Sequence, residues 1–127
     1  MPNKKTNFIY LPTDSEIKGD YSVNKFVTFI YPDKKTVQHK ICLLILKQLI
    51  NNKSVNQKDL FSKITSRFKG KQTRAQAKEV TKKLESIGLL RSVAAREHVK
   101  YLLTVHGFSQ LLRTLINYWT RIYRKTD

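Results

Sequence analysis

The chain is poor in the residues that build disulfide frameworks, membrane spans and active sites. Its one cysteine, Cys42, excludes an intramolecular disulfide. Cys42 lies inside Ile41-Cys42-Leu43-Leu44-Ile45-Leu46, where it reads as a small buried hydrophobe rather than a nucleophile. That stretch is also the longest uninterrupted apolar run, far short of the roughly 20 residues that a membrane-spanning helix needs. Met1-Pro2-Asn3-Lys4-Lys5 starts like a secretory signal, but no apolar stretch follows it. These features point to a reducing, cytoplasmic location and to no membrane partner. The three histidines, His39, His98 and His106, stand at spacings unsuited to a shared metal. Asp14, Glu16 and Asp20 fall in a polar stretch and read as solvated acids rather than a cation site. No glycine-rich phosphate cradle is present. An enzyme is therefore not expected, nor is a cofactor or a metal.

Acids are also scarce. Nine Asp and Glu face 25 Lys and Arg in 127 residues, a formal charge of +16. Self-repulsion at this level works against a compact fold, and a polyanion, most simply nucleic acid, explains why it is tolerated. The hydrophobic share is 40%, enough for one globular domain without a covalent staple.

Three regions differ in character. Residues 1–35 read as an N-terminal arm or short strands. Phe8-Ile9-Tyr10-Leu11 is closed by Pro12, and Tyr21 to Tyr31 is rich in strand-favouring Val, Phe, Thr, Ile and Tyr before Pro32 stops it. Residues 36–105 read as helix, helix, short link, helix and hairpin. Thr36 can cap a helix whose Val37, Ile41, Leu44, Ile45 and Leu49 repeat at helical spacing. Asn56 can cap a second, with Val55 and Leu60 as a hydrophobic staple and Gly70 at a left-handed C-terminal turn. Thr73 with Gln76 fits a capping box for a third, which Gly88 ends. Its narrow apolar stripe is Ala77, Val80, Leu84 and Ile87, and the opposite face carries Arg74, Lys78, Lys82 and Lys83. Leu89–Val93 and Val99–Leu103 read as two strands around a charged tip, Ala94 to His98. Residues 106–127 read as a last helix, capped by Thr104.

The resulting fold class is mainly α, of α+β type. Val55-Asn56-Gln57-Lys58-Asp59-Leu60, then Val80-Thr81-Lys82-Lys83-Leu84-Glu85-Ser86-Ile87-Gly88-Leu89-Leu90-Arg91, then Tyr101-Leu102-Leu103-Thr104-Val105-His106-Gly107 carry a family likeness. Over about residues 36–112 the chain resembles winged-helix, helix-turn-helix DNA-binding proteins of the MarR-like kind. The link Ser66 to Gln72 is longer and more basic than the family pattern, and residues 1–35 match nothing in it. The resemblance implies a two-stranded wing, a wing tip that enters a minor groove, and a homodimer built by helices outside the winged core.

In helix-turn-helix docking the first residues of the recognition helix reach base edges, which here are Thr73, Arg74 and Gln76. Arginine can bond guanine in a bidentate way, and glutamine adenine. Lys78, Lys82 and Lys83 lie further along and suit phosphates, as do Lys69 and Lys71 in the link. Arg96 is the wing-tip candidate. Residues 56–83 hold nine Lys or Arg against two acids, so the charge is concentrated where the fold reading places DNA. Phe108, Leu111, Leu112, Leu115, Ile116, Trp119, Ile122 and Tyr123 form an apolar stripe larger than a small core readily covers, expected to join two copies.

Three function classes fit. The first is a homodimeric transcriptional regulator reading a palindromic site in double-stranded DNA. The second is a plasmid or viral DNA-organising or centromere-binding protein. The third is a winged helix that binds RNA or protein. A small-molecule effector is neither supported nor excluded.

Overall fold

The computed structural model describes residues 22–125. Five helices and a three-stranded antiparallel sheet make up this part of the chain. The strands expected in residues 1–21 lie outside the described residues, as do Asp14, Glu16 and Asp20.

The first element corrects the sequence reading. Val23–Thr28 is a helix, α1, and not part of a strand. Strand-favouring composition loses here to period: Val23, Phe26 and Val27 recur at helical spacing, and Ile30 follows in the turn after the helix. Val27 and Ile30 are fully buried, and Val23 and Phe26 pack against the core. Ser22 caps the helix, its hydroxyl accepting from Lys25 N at 3.1 Å.

The second helix, α2 (Val37–Asn52), is the hub of the molecule and packs against α1. Thr36 caps it by accepting from His39 N. Ile41, Cys42, Ile45, Leu46 and Leu49 form its buried side. Burial pushes the Cys42 thiol up to about 12, so it stays protonated as a packing group. Lys53, with φ 64°, turns the chain into a short strand, β1 (Ser54–Asn56), which the sequence reading missed.

Asn56 then caps α3 (Gln57–Arg67), accepting from Lys58 N at 2.9 Å. Leu60, Phe61 and Ile64 are its buried residues. The helix ends on extended Phe68, and Gly70 does not adopt the left-handed conformation expected of it.

α4 (Thr73–Ser86) follows a short link, and its expected capping box is absent. Gln72 is the cap residue and makes no side-chain cap bond. Thr73 is buried, donates its hydroxyl to Phe68 O at 2.6 Å and accepts from Gly70 N at 3.0 Å. The hydroxyl therefore fastens the link between the two helices. Thr73→Val keeps the shape and removes both bonds, leaving Gly70 N and Phe68 O only their bond to each other at 3.0 Å, an expected loss of about 1 kcal/mol in chemical denaturation. An unchanged denaturation midpoint would show that the link is held by other means.

β2 (Leu90–Ala95) and β3 (His98–Leu103) form a hairpin, and β3 is the central strand, with order β1-β3-β2. Leu90 pairs with Leu103 and Ala95 with His98, so the expected five-residue tip shrinks to Arg96 and Glu97. Arg96 takes φ 52° to close the turn. On the other side Val55 pairs with Tyr101, whose hydroxyl accepts from Gln57 Nε2 at 2.8 Å.

The last helix, α5 (Val105–Lys125), is rooted where α4 ends. Gly88 leaves α4 with φ 83°, and Leu89 N donates back to Leu84 O. Gly107 lies directly on Gly88, backbone against backbone. Thr104 N donates to Leu89 O at 2.9 Å, and the Thr104 hydroxyl accepts from Gly107 N. The ring of Phe108 meets Phe26 edge-on at 6.3 Å, and Leu111 packs on the core. Beyond Leu112 most of the helix is exposed. Among the described residues no helix is long and apolar enough to cross a membrane.

Candidate nucleic-acid interface

α4 is held from behind and free in front. Ala77, Val80, Thr81 and Leu84 bury one side against α2, α3 and β2. Arg74, Lys78 and Lys82 recur every four residues on its exposed surface, one row along the helix. None of these three forms an ion pair among the described residues. The row concentrates positive charge on a rigidly backed helix, with Glu85 the acid that interacts electrostatically with Lys82.

A groove of about 550 Å³ runs between α3 and α4. Lys58, Phe61, Ser62 and Thr65 line it from α3, and Arg74 and Lys78 from α4. The Arg74 guanidinium stands 5.9 Å from the centre of the Phe61 ring, at the outer limit of a cation–π contact. That ring steadies the side chain at the groove rim without consuming its donors. No acid lines the groove.

Lys58, Ser62 and Thr65 had not been singled out from sequence. The signal was present in the four-residue spacing of Lys58 and Ser62, on the flank of α3 that α4 leaves open.

The other site candidates separate clearly. Lys69 and Lys71 are exposed in the link, and Arg96 is exposed at the hairpin tip. Gln76 is half-buried. Thr73 does not face outward: its hydroxyl is spent on Phe68 and Gly70. Lys83 is also a correction. It sits on the inner flank of α4, donates to Ile30 O at 3.1 Å and lies 4.6 Å over the Tyr31 ring. Burial lowers its pKa from the usual lysine range. Lys83 therefore ties α4 to the segment after α1 and leaves the exposed row to Arg74, Lys78 and Lys82.

The apolar stripe of α5 divides in two. Phe108, Leu111 and Leu112 are half-buried at the root, whereas Leu115, Trp119 and Ile122 are exposed, with Ile116, Tyr118 and Tyr123 beside them. Trp119 is 63% exposed, so within one chain the largest side chain of the protein has little cover. Phe108, Leu112, Leu115, Trp119 and Ile122 are spaced four, three, four, three, the repeat of a helix that packs along another helix.

Among the described residues no group of three His, Cys, Asp or Glu side chains is placed to hold a metal ion. Comparison of the chain with family models, curated proteins and solved structures returns no match, so the interface stands on its own geometry.

Proposed function

We propose that this chain is a winged-helix protein that binds double-stranded DNA as a homodimer and regulates transcription from a palindromic site. The observation that carries the reading is the row Arg74, Lys78 and Lys82 on the open side of α4, beside an acid-free groove. A B-DNA major groove about 12 Å wide accepts one such helix. α3 then crosses the backbone with Lys58 toward phosphate, α4 enters the groove with Arg74 toward base edges, and the β2–β3 hairpin is the wing, with Arg96 at its tip. Lys69 and Lys71 add phosphate contacts. The exposed part of α5 pairs two copies and sets two α4 helices about one DNA turn apart.

The test is anisotropy binding to a duplex enriched from random DNA and to a scrambled duplex, across a salt series. A preference of about a thousandfold at physiological salt is expected for an operator-reading protein. Arg74→Ala should cost about 1–3 kcal/mol on the preferred duplex and relax its specificity. Lys82→Ala should weaken both duplexes alike and lower the salt slope by about one. Equal binding with a steep salt slope would instead make the protein a DNA organiser. Preference for structured RNA would overturn the reading, because an A-form major groove does not admit α4.

A further inference from the structure

α5 has a second side whose charge is as one-sided as its apolar face. The helix contains no Asp or Glu over its 21 residues. Arg113, Arg121 and Arg124 fall on the side away from Leu115, Trp119 and Ile122, Lys125 lies on its flank, and all four cations are exposed. None forms an ion pair among the described residues. Covering the apolar face with a second copy therefore leaves these cations outward, where no acid on their own helix can neutralise them. They span about 18 Å, over which one DNA strand presents about five phosphates.

Their place in the fold separates them from the α3–α4 groove. α5 is rooted on Gly88, beyond the C-terminal end of α4, roughly 20 Å along that helix from Arg74. The cations also lack what base readout needs. The helix that bears them is not backed by the body beyond its root, so the contact fits phosphates and not base edges.

We propose that the outer face of α5 is a second nucleic-acid surface, which takes DNA backbone without reading sequence. The inference rests on the DNA-binding reading above. A lipid surface is the competing anion, but it would take the apolar face too, and the four-three repeat of that face already fits a helix.

The experiment compares four full-length proteins on one duplex of about 36 base pairs: the intact chain, a groove variant (Arg74→Gln with Lys78→Gln), an α5 variant (Arg113→Gln, Arg121→Gln, Arg124→Gln and Lys125→Gln), and both together. The readout is the slope of log affinity against log salt, about 0.9 per phosphate contact. The α5 variant should lower the slope by about 3.6 if each of its four cations meets a phosphate, and the combined variant should lose the sum of the two separate losses. A variant with Arg113→Lys, Arg121→Lys and Arg124→Lys should keep the slope, which distinguishes charge from packing. If the four-site variant fails to fold, Arg121→Gln and Arg124→Gln alone should each lower the slope by about one. An unchanged slope in the α5 variants overturns the proposal. So does an unchanged slope on DNA combined with loss of binding to vesicles about one-third phosphatidylserine, which would assign the face to lipid. Failure of the groove variant to change any slope would instead count against α4 as the DNA-reading helix, independently of α5.

Discussion

Gly88→Ala should unfold the junction between α4 and α5, with a loss of about 3 kcal/mol or more and a fall in Tm of at least about 10 °C. Two costs add at this position. The backbone is left-handed, φ 83°, which alone penalises an alanine by about 1–2 kcal/mol. The added methyl would also meet backbone rather than yielding side chains: the Gly107 carbonyl, and Phe108 N at 2.6 Å. Neither group can move without shifting the start of α5. Gly107→Ala makes the same collision from the other side, with its methyl 2.6 Å from Gly88 O. Gly70→Ala is the control. Its φ is not positive and its new methyl would meet only the Thr73 hydroxyl, at 3.1 Å, so a change below about 1 kcal/mol is expected. Thermal melts followed by circular dichroism decide the matter. A Gly88→Ala protein that melts with the intact chain would mean that α5 is not seated on this turn.

Leu115→Asp should turn the proposed dimer into a monomer and lower its expected affinity for a two-half-site duplex by about a hundredfold or more, while a single half-site binds as before. Leu115 stands mid-repeat on the exposed apolar face, and a carboxylate there would have to be buried unpaired between two helices. The monomer should keep its fold, because the hydrophobic core draws on α5 only at the root, through Leu111. Trp119 provides the readout. It is the only tryptophan and is 63% exposed in one chain, so its emission should shift to shorter wavelength as intact protein associates and stay red in the Leu115→Asp protein. Light scattering gives the mass directly. A monomeric intact chain at tens of micromolar would defeat the dimer reading and leave the α5 face without its proposed partner.

Much of the middle of the chain was legible because period and capping agree there. Thr36 and Asn56 cap helices as read, and Gly88 ends α4. The misses have physical causes. In Val23–Thr28, β-branched and aromatic residues favour a strand one by one, but Val27 in the helix and Ile30 in the turn after it bury completely against the core, and tertiary packing outweighs propensity. β1 is three residues long and exists through its pairing with β3, a partner more than forty positions away that no local pattern announces. Thr73 looked like a cap because its own helix offers donors, yet the link offers Phe68 O and Gly70 N, and the hydroxyl takes those. Of the basic face, Arg74, Lys78 and Lys82 keep the outward row. Lys83 is one position on from Lys82, which rotates it about 100° toward Ile30 and Tyr31. A cluster of lysines in sequence gives charge; which of them faces a partner depends on register.

The seat of α5 on Gly88 also makes that helix a lever. Its 21 residues are about 30 Å long, so a tilt of about 10° at the root carries the far end about 5 Å. One base pair of separation is about 3.4 Å. In a pair of copies joined along α5, the angle set where two glycines touch thus governs the spacing of half-sites the pair can straddle. A root this tightly packed makes that ruler stiff, and in the proposed dimer a one-base-pair insertion between half-sites should be felt as mechanical strain at the Gly88 turn, away from the proposed groove contact.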